Sequence, residues 1–445
     1  MHKSTKILIA SFVVASVTTG CGDFLSGPKL TTDPNKQQET RTPDQYFVPI
    51  QANTWFLNEG QIARMAAVWH QQMAGVQRQF SSFDLYSVGE ADLEGEWGTV
   101  YTGGGIIDAR KLQDQVSKLG DRRYLGIAKI YEAWLIGTLA DVWGDVPYSE
   151  AVQNIPNPKL DKQMDVYAAV ETLLASAITD LSAGVGAGPG SADLVYAGSA
   201  SKWIDFAHTL RARYYLHQAE VTPANYALAL AEANLGIKQG NDYTAYHSPT
   251  IPAEANQWYQ FQIVDRSGYM RAGEALVDTL KNRPDPRLAL YYDGPPFVGS
   301  KPGENNETAS DLSDARLDPG FRQPLVTWRE NQLIIAEASS KGGNDVAALA
   351  ALNAERANAG LGAVALTGAA LYAAIMTEKW IEDFQKIEVF QDYNRSCFPR
   401  LIPAAGATAI PARFLYPINE RNSNPNIPAP SSQPVRNQND PNACP

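Results

Sequence analysis

Apolar residues at spacings of three and four recur in segment after segment of this chain, a period that fits helices and little else. Thr42-Pro43 has the form of an N-cap with proline at the first helical position, after which Tyr46, Ile50 and Leu57 share one face. Ile62, Met65, Ala66, Trp69 and Met73 form a second apolar stripe. Asp121 opens a third helix that buries Tyr124, Ile127, Ala128, Tyr131, Leu135 and Leu139, and Gly144 and Pro147 end it. The scheme repeats over 165–181, 199–219, 222–235, 345–359 and 367–390. YALALAEANLGI and DVAALAALNAERANAG are rich in alanine, whose small side chain lets neighbouring helices approach closely. The expected fold is all-α: an irregular tetratricopeptide-like helical-repeat scaffold over about 121–240 and 325–390, with little strand and no strict repeat of about 34 residues.

Long connections interrupt the pattern at 76–96, 182–198, 239–268, 291–324 and from 402 onward, and loops of such length tend to carry function. The last twenty residues, rich in proline and asparagine, read as an extended tail lying on the surface. Several aromatics fall in or beside these loops: Tyr86, Tyr243, Tyr246, Trp258, Tyr259 and Tyr269. A flat ring beside amides and charged groups can stack on the apolar face of a sugar while its neighbours satisfy hydroxyls; the same pattern suits a peptide. In Asn256-Gln257-Trp258-Tyr259-Gln260 two large rings adjoin, and on an extended segment adjacent side chains point to opposite sides. One of Trp258 and Tyr259 is therefore expected to face ligand while the other anchors the loop. Arg78, Tyr86 and Trp97, near the N-terminal long loop, are further candidates, although Trp97 also reads as core.

The first twenty residues read as a processing signal: Lys3 and Lys6, an apolar run of eleven from Ile7 to Val17, then Thr18-Thr19-Gly20 before Cys21. The stretch resembles a lipobox, with Thr18 where leucine is usual. It implies lipidation of Cys21; the plainer reading is an ordinary secretory signal followed by an incidental cysteine. Residues 21–445 are then one large mature domain, with no later segment long enough to span a bilayer. Net charge is −11, and removal of Lys3 and Lys6 leaves −13; with no basic cluster, the charge pattern argues against a nucleic-acid partner. Of three cysteines, Cys397 and Cys444 remain once Cys21 is lipidated, as a disulfide in an oxidising compartment or as two thiols.

Catalytic chemistry finds little support. His208 and His217 stand nine residues apart, on opposite faces of one helix, and cannot share a metal. His70 and His247 lack a neighbouring ligand set, and no GxSxG, HExxH or Walker A pattern occurs. Gly103-Gly104-Gly105 lacks the lysine and preceding strand of a phosphate loop and reads as close helix packing. Glu90, Asp92, Glu94 and Glu96 lack calcium-loop spacing and read as a solvated face. No metal and no cofactor are expected.

Several stretches, in order, resemble the SusD/RagB-like family of outer-membrane nutrient-binding lipoproteins: CGDFLSGPKLTTDP from Cys21, EGEWGTVYTGGGIIDARKL from Glu94, and YLGIAKIYEAWLIGTLADVWGDVPYSEA from Tyr124. SKWIDFAHTLRARYYLH, RPDPRLALYY and EKWIEDFQKIEVFQDYNRSCFPRL with ARFLYPINERNSNP continue the likeness. The family's closing Asn-Pro-Gly-Tyr is replaced by NPNIPAP and a cysteine-bearing tail. The resemblance implies a lipid-anchored protein at the outer membrane that binds a glycan or peptide. It also implies delivery to a TonB-dependent transporter, without catalysis, from a ligand face opposite the helical repeats. A surface glycoside hydrolase and a helical adaptor that binds only protein are the alternatives.

Overall fold

Helix α6 (Arg122–Trp143) is the axis of the molecule, with nearly every residue from Tyr124 onward buried. This computed structural model describes residues 41–441 and Cys444, and the chain from Pro43 onward forms one compact unit. Residues 1–20, expected to be a processing signal, and Cys21 lie outside the described residues. Ahead of α6 come α1 (Pro43–Glu59), α2 (Gln61–Trp69), β1 (Met73–Gly75), α3 (Arg78–Asp84), α4 (Glu94–Tyr101) and α5 (Ile106–Lys118). Proline does stand first in α1, and Tyr46, Ile50 and Leu57 are buried. The Asp121 carboxylate accepts from Tyr124 N at 2.9 Å, capping α6, and Gly144 leaves the helix at φ +79°.

The repeats follow as α7 (Gln163–Ser182), α8 (Ala200–His217) and α9 (Asn225–Ala233). After an insertion come α13 (Trp328–Lys341), α14 (Asp345–Asn358) and α15 (Gly368–Glu382). Each packs on the one before, α9 passing directly to α13. Small residues allow the approach. A Cβ on Gly126 would lie 2.8 Å from the Ala177 carbonyl in α7, and one on Gly137 would overlap the Tyr214 ring of α8. Ala212, Ala229, Ala233 and Ala338 seal the α8–α9–α13 junction.

The insertion carries β2 (Tyr243–Thr244), α10 (Gln257–Tyr259), β3 (Met270–Ala272), α11 (Glu274–Asn282), α12 (Arg287–Tyr291) and β4 (Pro324–Val326). The antiparallel pair of β1 with β3 ties it to the N-terminal helices, and the antiparallel pair of β2 with β4 joins its own two ends. The chain is thus mostly helical with little strand, as its periodicity indicates. The connections at 76–96 and 239–268 are less irregular than expected, since α3, the start of α4, β2 and α10 fall within them.

Two further expectations need correction. The helix expected over 367–390 breaks after Glu382, with Gln385 at φ +64°, and resumes as α16 (Glu388–Ser396). The break carries Lys386 inward to Glu382 (3.6 Å) and Asp383 (3.8 Å) and aims Glu388 at His217 (2.6 Å), so ion pairing takes the place of continuous helix. The tail, beyond α17 (Ile418–Ser423), does not lie wholly on the surface. Gln433, Asn437 and Asn439 are buried; the Asn437 and Asn439 amides bond into the helical body, and Gln433 braces the C-terminal segment through Arg413, Tyr416 and Pro428. A disulfide joins Cys397 to Cys444.

Candidate ligand-binding surface

The insertion between the helical repeats builds a surface from residues 246–272 and the outer face of α1. Asn256 organises it. Its Oδ1 accepts from Trp258 N at 2.9 Å and Tyr259 N at 3.2 Å, which starts α10, and its Nδ2 donates to the Phe321 carbonyl at 3.2 Å. Beside it, the fully buried Glu59 at the end of α1 faces His247 Nε2 at 2.8 Å. Burial pushes the Glu59 carboxyl up, and His247 counters part of that rise. The pair anchors the segment to α1.

Because residues 257–265 are helical, ending in a wide turn over Gln260–Asp265, the alternation expected of an extended strand does not apply. Trp258 is fully buried, which corrects its assignment as a ligand platform: its ring anchors the segment in the core. Tyr259 is half-buried and keeps part of its ring at the surface. Phe261 locks the segment to α3 through Phe80 (centroids 4.9 Å apart) and lies under the Arg64 guanidinium at 4.5 Å. Ile263 and Val264 are exposed beyond it, and Arg266 reaches over Tyr269 at 5.8 Å.

On the α1 side a cleft of about 220 Å³ opens between Val48, Ala52, Trp55 and Phe56, Leu194, and Tyr246, His247 and Gln257 of the insertion. Phe56 and Tyr246 are 40% and 36% exposed, so both retain ring surface for a ligand. The Arg322 guanidinium sits 4.8 Å from the Tyr246 ring and fixes it. Trp55 donates to Tyr243 Oη at 2.8 Å, and Tyr243 and Tyr131 hydroxyls bond at 2.8 Å, so the floor is tied to α6. The volume is below the roughly 300–1,000 Å³ of pockets that engulf a drug-sized ligand, and suits one ring or the end of a chain. A rigid, ring-lined cleft with amide and imidazole groups at its edge can bind and orient. Among the described residues no group of three His, Cys, Asp or Glu side chains is placed to hold a metal.

The other residues singled out from sequence scatter. Arg78 is exposed at the start of α3, on the element that Phe80 and Phe261 join to residues 257–265. Tyr86 is half-buried, edge-on to Trp69, and its hydroxyl accepts from Ala404 N at 3.1 Å, so it holds residues near 404 in place. Trp97 is core: it is 3% exposed, among Trp143, Tyr101 and Tyr416, with ring centroids 5.4–5.7 Å away. The acidic run is not simply solvated, since Glu90 accepts from Arg421 at 2.7 and 2.8 Å, Glu94 from Asn419 at 2.8 Å, and Glu96 is buried. Phe56 was legible but unused. Val48, Ala52 and Phe56 form a second apolar stripe on α1, facing away from Tyr46, Ile50 and Leu57.

The SusD-like family described as "Starch-binding associating with outer membrane" matches residues 34–417. A comparison with curated protein sequences finds no match. Among solved structures, a chitin-binding SusD homologue from Flavobacterium johnsoniae is similar over 90% of this chain and 99% of its own, at 19% identity and a TM-score of 0.78. A chitin-binding protein is similar over 90% and 100%, at 21% identity and 0.76. A SusD-like protein from Bacteroides thetaiotaomicron is similar over 89% and 97%, at 19% identity and 0.75. At these identities the likeness concerns the fold.

Proposed function

Since this chain belongs to the SusD-like family, we propose that it is a cell-surface lipoprotein, anchored through Cys21, that captures an oligosaccharide and hands it to a TonB-dependent outer-membrane transporter. The observation that carries the reading is the α1–insertion cleft, where the part-exposed rings of Phe56 and Tyr246 stand on a scaffold held rigid by core hydrogen bonds. The family's description and two chitin-binding neighbours support a glycan over a peptide. Capture and release need no reacting groups. No helix among the described residues is long and apolar enough to cross a membrane.

The test is calorimetry with chito- and malto-oligosaccharides on the mature chain, alongside Phe56→Ala and Tyr246→Ala. A central stacked aromatic commonly contributes about 2 kcal/mol or more, so each variant should weaken binding by roughly thirtyfold while folding normally. Peptide binding with no response to any glycan would overturn the ligand class. New reducing ends on incubation with glycan would favour the hydrolase reading, and purification from membranes without a large barrel would count against delivery. Acyl groups on Cys21, read by mass spectrometry, test the anchor.

A further inference from the structure

A larger cleft, of about 530 Å³, lies away from the insertion, between the turn after α6, the loop at 159–162 and the C-terminal tail. In a chain of net charge −11 its lining holds four cationic residues, Lys159, Lys162, Arg413 and Arg436, and one carboxylate, Asp145. Asp145 is already engaged: Lys162 Nζ donates to it at 2.8 Å, Gln163 N at 2.9 Å and Gln438 Nε2 at 3.0 Å. Lys159 stands 3.5 Å from Asp161, and Arg436 2.9 Å from Asp440.

Arg413 differs from the other three. It is 8% exposed, lies 4.3 Å over the Tyr416 ring, and donates Nε to the Trp143 carbonyl (2.8 Å) and Nη1 to Gln433 Oε1 (3.1 Å). Its Nη2 finds no partner, and no carboxylate lies within ion-pair distance of it, among the described residues. The neighbouring Asn437 donates Nδ2 to the Asp141 carbonyl at 2.9 Å, while its Oδ1 is likewise buried without a partner. Gly144 keeps this corner open, since a Cβ there would lie 2.6 Å from Asn437 Oδ1. A buried guanidinium without a counter-ion is costly, and the structure must gain something for holding it. Burial depresses its pKa, and Tyr416 and Asp145 offset only part of that fall.

We infer that this cleft is a second binding site, for the carboxylate of an acidic sugar, with Arg413 as the buried donor, Lys159 and Lys162 as the outer charges, and Asn437 as an acceptor for an adjacent hydroxyl. Arg413 Nη2 is the donor left for a carboxylate oxygen, and the half-buried Leu160 offers apolar surface beside it. The sugar part of the inference rests on the glycan reading above; the anion part rests on this geometry alone.

The test is calorimetry of the mature chain with digalacturonate and with neutral galactobiose at low and moderate salt. The acidic disaccharide should bind, weaken as salt rises, and lose about tenfold or more in affinity in Arg413→Gln and in Lys159→Ala/Lys162→Ala. Thermal unfolding checks each variant; the lysines are exposed, so their double variant decides the matter if Arg413→Gln does not fold. Equal binding of neutral and acidic disaccharides, no binding of either, or acid binding untouched by the lysine pair overturns the inference. Chito-oligosaccharide binding that depends on Phe56 and Tyr246 would survive any of those results, which separates this site from the α1 cleft.

Discussion

Asn439 and Gln163 exchange two hydrogen bonds across the length of the chain: Gln163 Nε2 donates to Asn439 Oδ1 at 2.8 Å, and Asn439 N donates to Gln163 Oε1 at 3.0 Å. The same asparagine donates Nδ2 to the His217 carbonyl (3.1 Å) and to Gln391 Oε1 (2.9 Å), so one tail side chain bridges α7, α8 and α16. Both Asn439 and Gln163 are fully buried. Asn439→Ala should leave several buried polar groups unmatched and lower stability by about 2 kcal/mol or more. Gln438→Ala, on the exposed neighbour, should change it by less than about 0.5 kcal/mol. Urea unfolding of the two variants compares them; equal, small losses would mean the tail merely rests on the body.

His217 supplies a pH dependence of a definite sign. Burial alone would depress its pKa, but Asp141 at 2.8 Å and Glu388 at 2.6 Å outweigh burial and push it up to about 10. His217 and Arg213 hold the Glu388 carboxyl low, whereas burial raises Asp141. An unfolded histidine titrates near 6.5, so the folded pKa is the higher one. The stabilisation is therefore complete below about pH 6.5 and is lost as pH rises through about 10. His217→Gln, a neutral side chain, should remove that alkaline loss. Urea midpoints at about pH 7 and pH 10 for both proteins measure it, and parallel declines would refute the assignment.

Much of the scaffold was legible because helices declare themselves through local spacing: the Asp121 cap, the Gly144 stop and the apolar faces of α1, α2 and α6 each depend on residues within a few turns. What stayed hidden depends on partners distant in sequence. Nothing local marks the break at 383–387, whose cause is a buried ionic cluster drawn from the whole C-terminal half. Arg395 and Lys379, for example, both reach Glu337 and Asp392. The tail reads as polar and loose because Asn437 and Asn439 find their partners far away in sequence, in α6, α7, α8 and α16. The candidate cleft was half visible: Tyr246 stood out as a loop aromatic, but Phe56 mattered only once Leu194 and residues 246–257 were seen beside it.

The Cys397–Cys444 disulfide closes a sequence separation of 47 residues around the segment that bears Arg413 and the tail asparagines. In the chain-entropy model such a closure stabilises by about 4 kcal/mol, an upper figure because the same tail is also held by hydrogen bonds. Cys444→Ala should lower the unfolding free energy by a few kcal/mol at most, about 2–4, and the loss should vanish when both proteins are compared under reducing conditions. Non-reducing peptide mapping gives the direct reading: alkylation of Cys444 without reductant would show the bond absent.

Trp258 and Tyr259 are chain neighbours with opposite fates, and their variants should separate anchoring from binding. The Trp258 ring is fully buried in the core beneath the insertion, so Trp258→Ala opens a cavity, and losses of about 3–5 kcal/mol are usual for such truncations. Its effect on glycan affinity should follow only from the loosened segment, and Trp258→Phe should restore most of both. Tyr259 is half-buried, its backbone N–H already satisfied by Asn256, so Tyr259→Ala should cost about 1 kcal/mol or less in stability. If ligand extends from the α1 cleft across α10, that variant should weaken oligosaccharide binding by about tenfold while leaving a monosaccharide unaffected. Urea unfolding and calorimetry on the three variants give the comparison. A Tyr259→Ala protein that binds long and short glycans like wild type would confine the site to Phe56 and Tyr246 and leave the 257–265 helix a purely structural element.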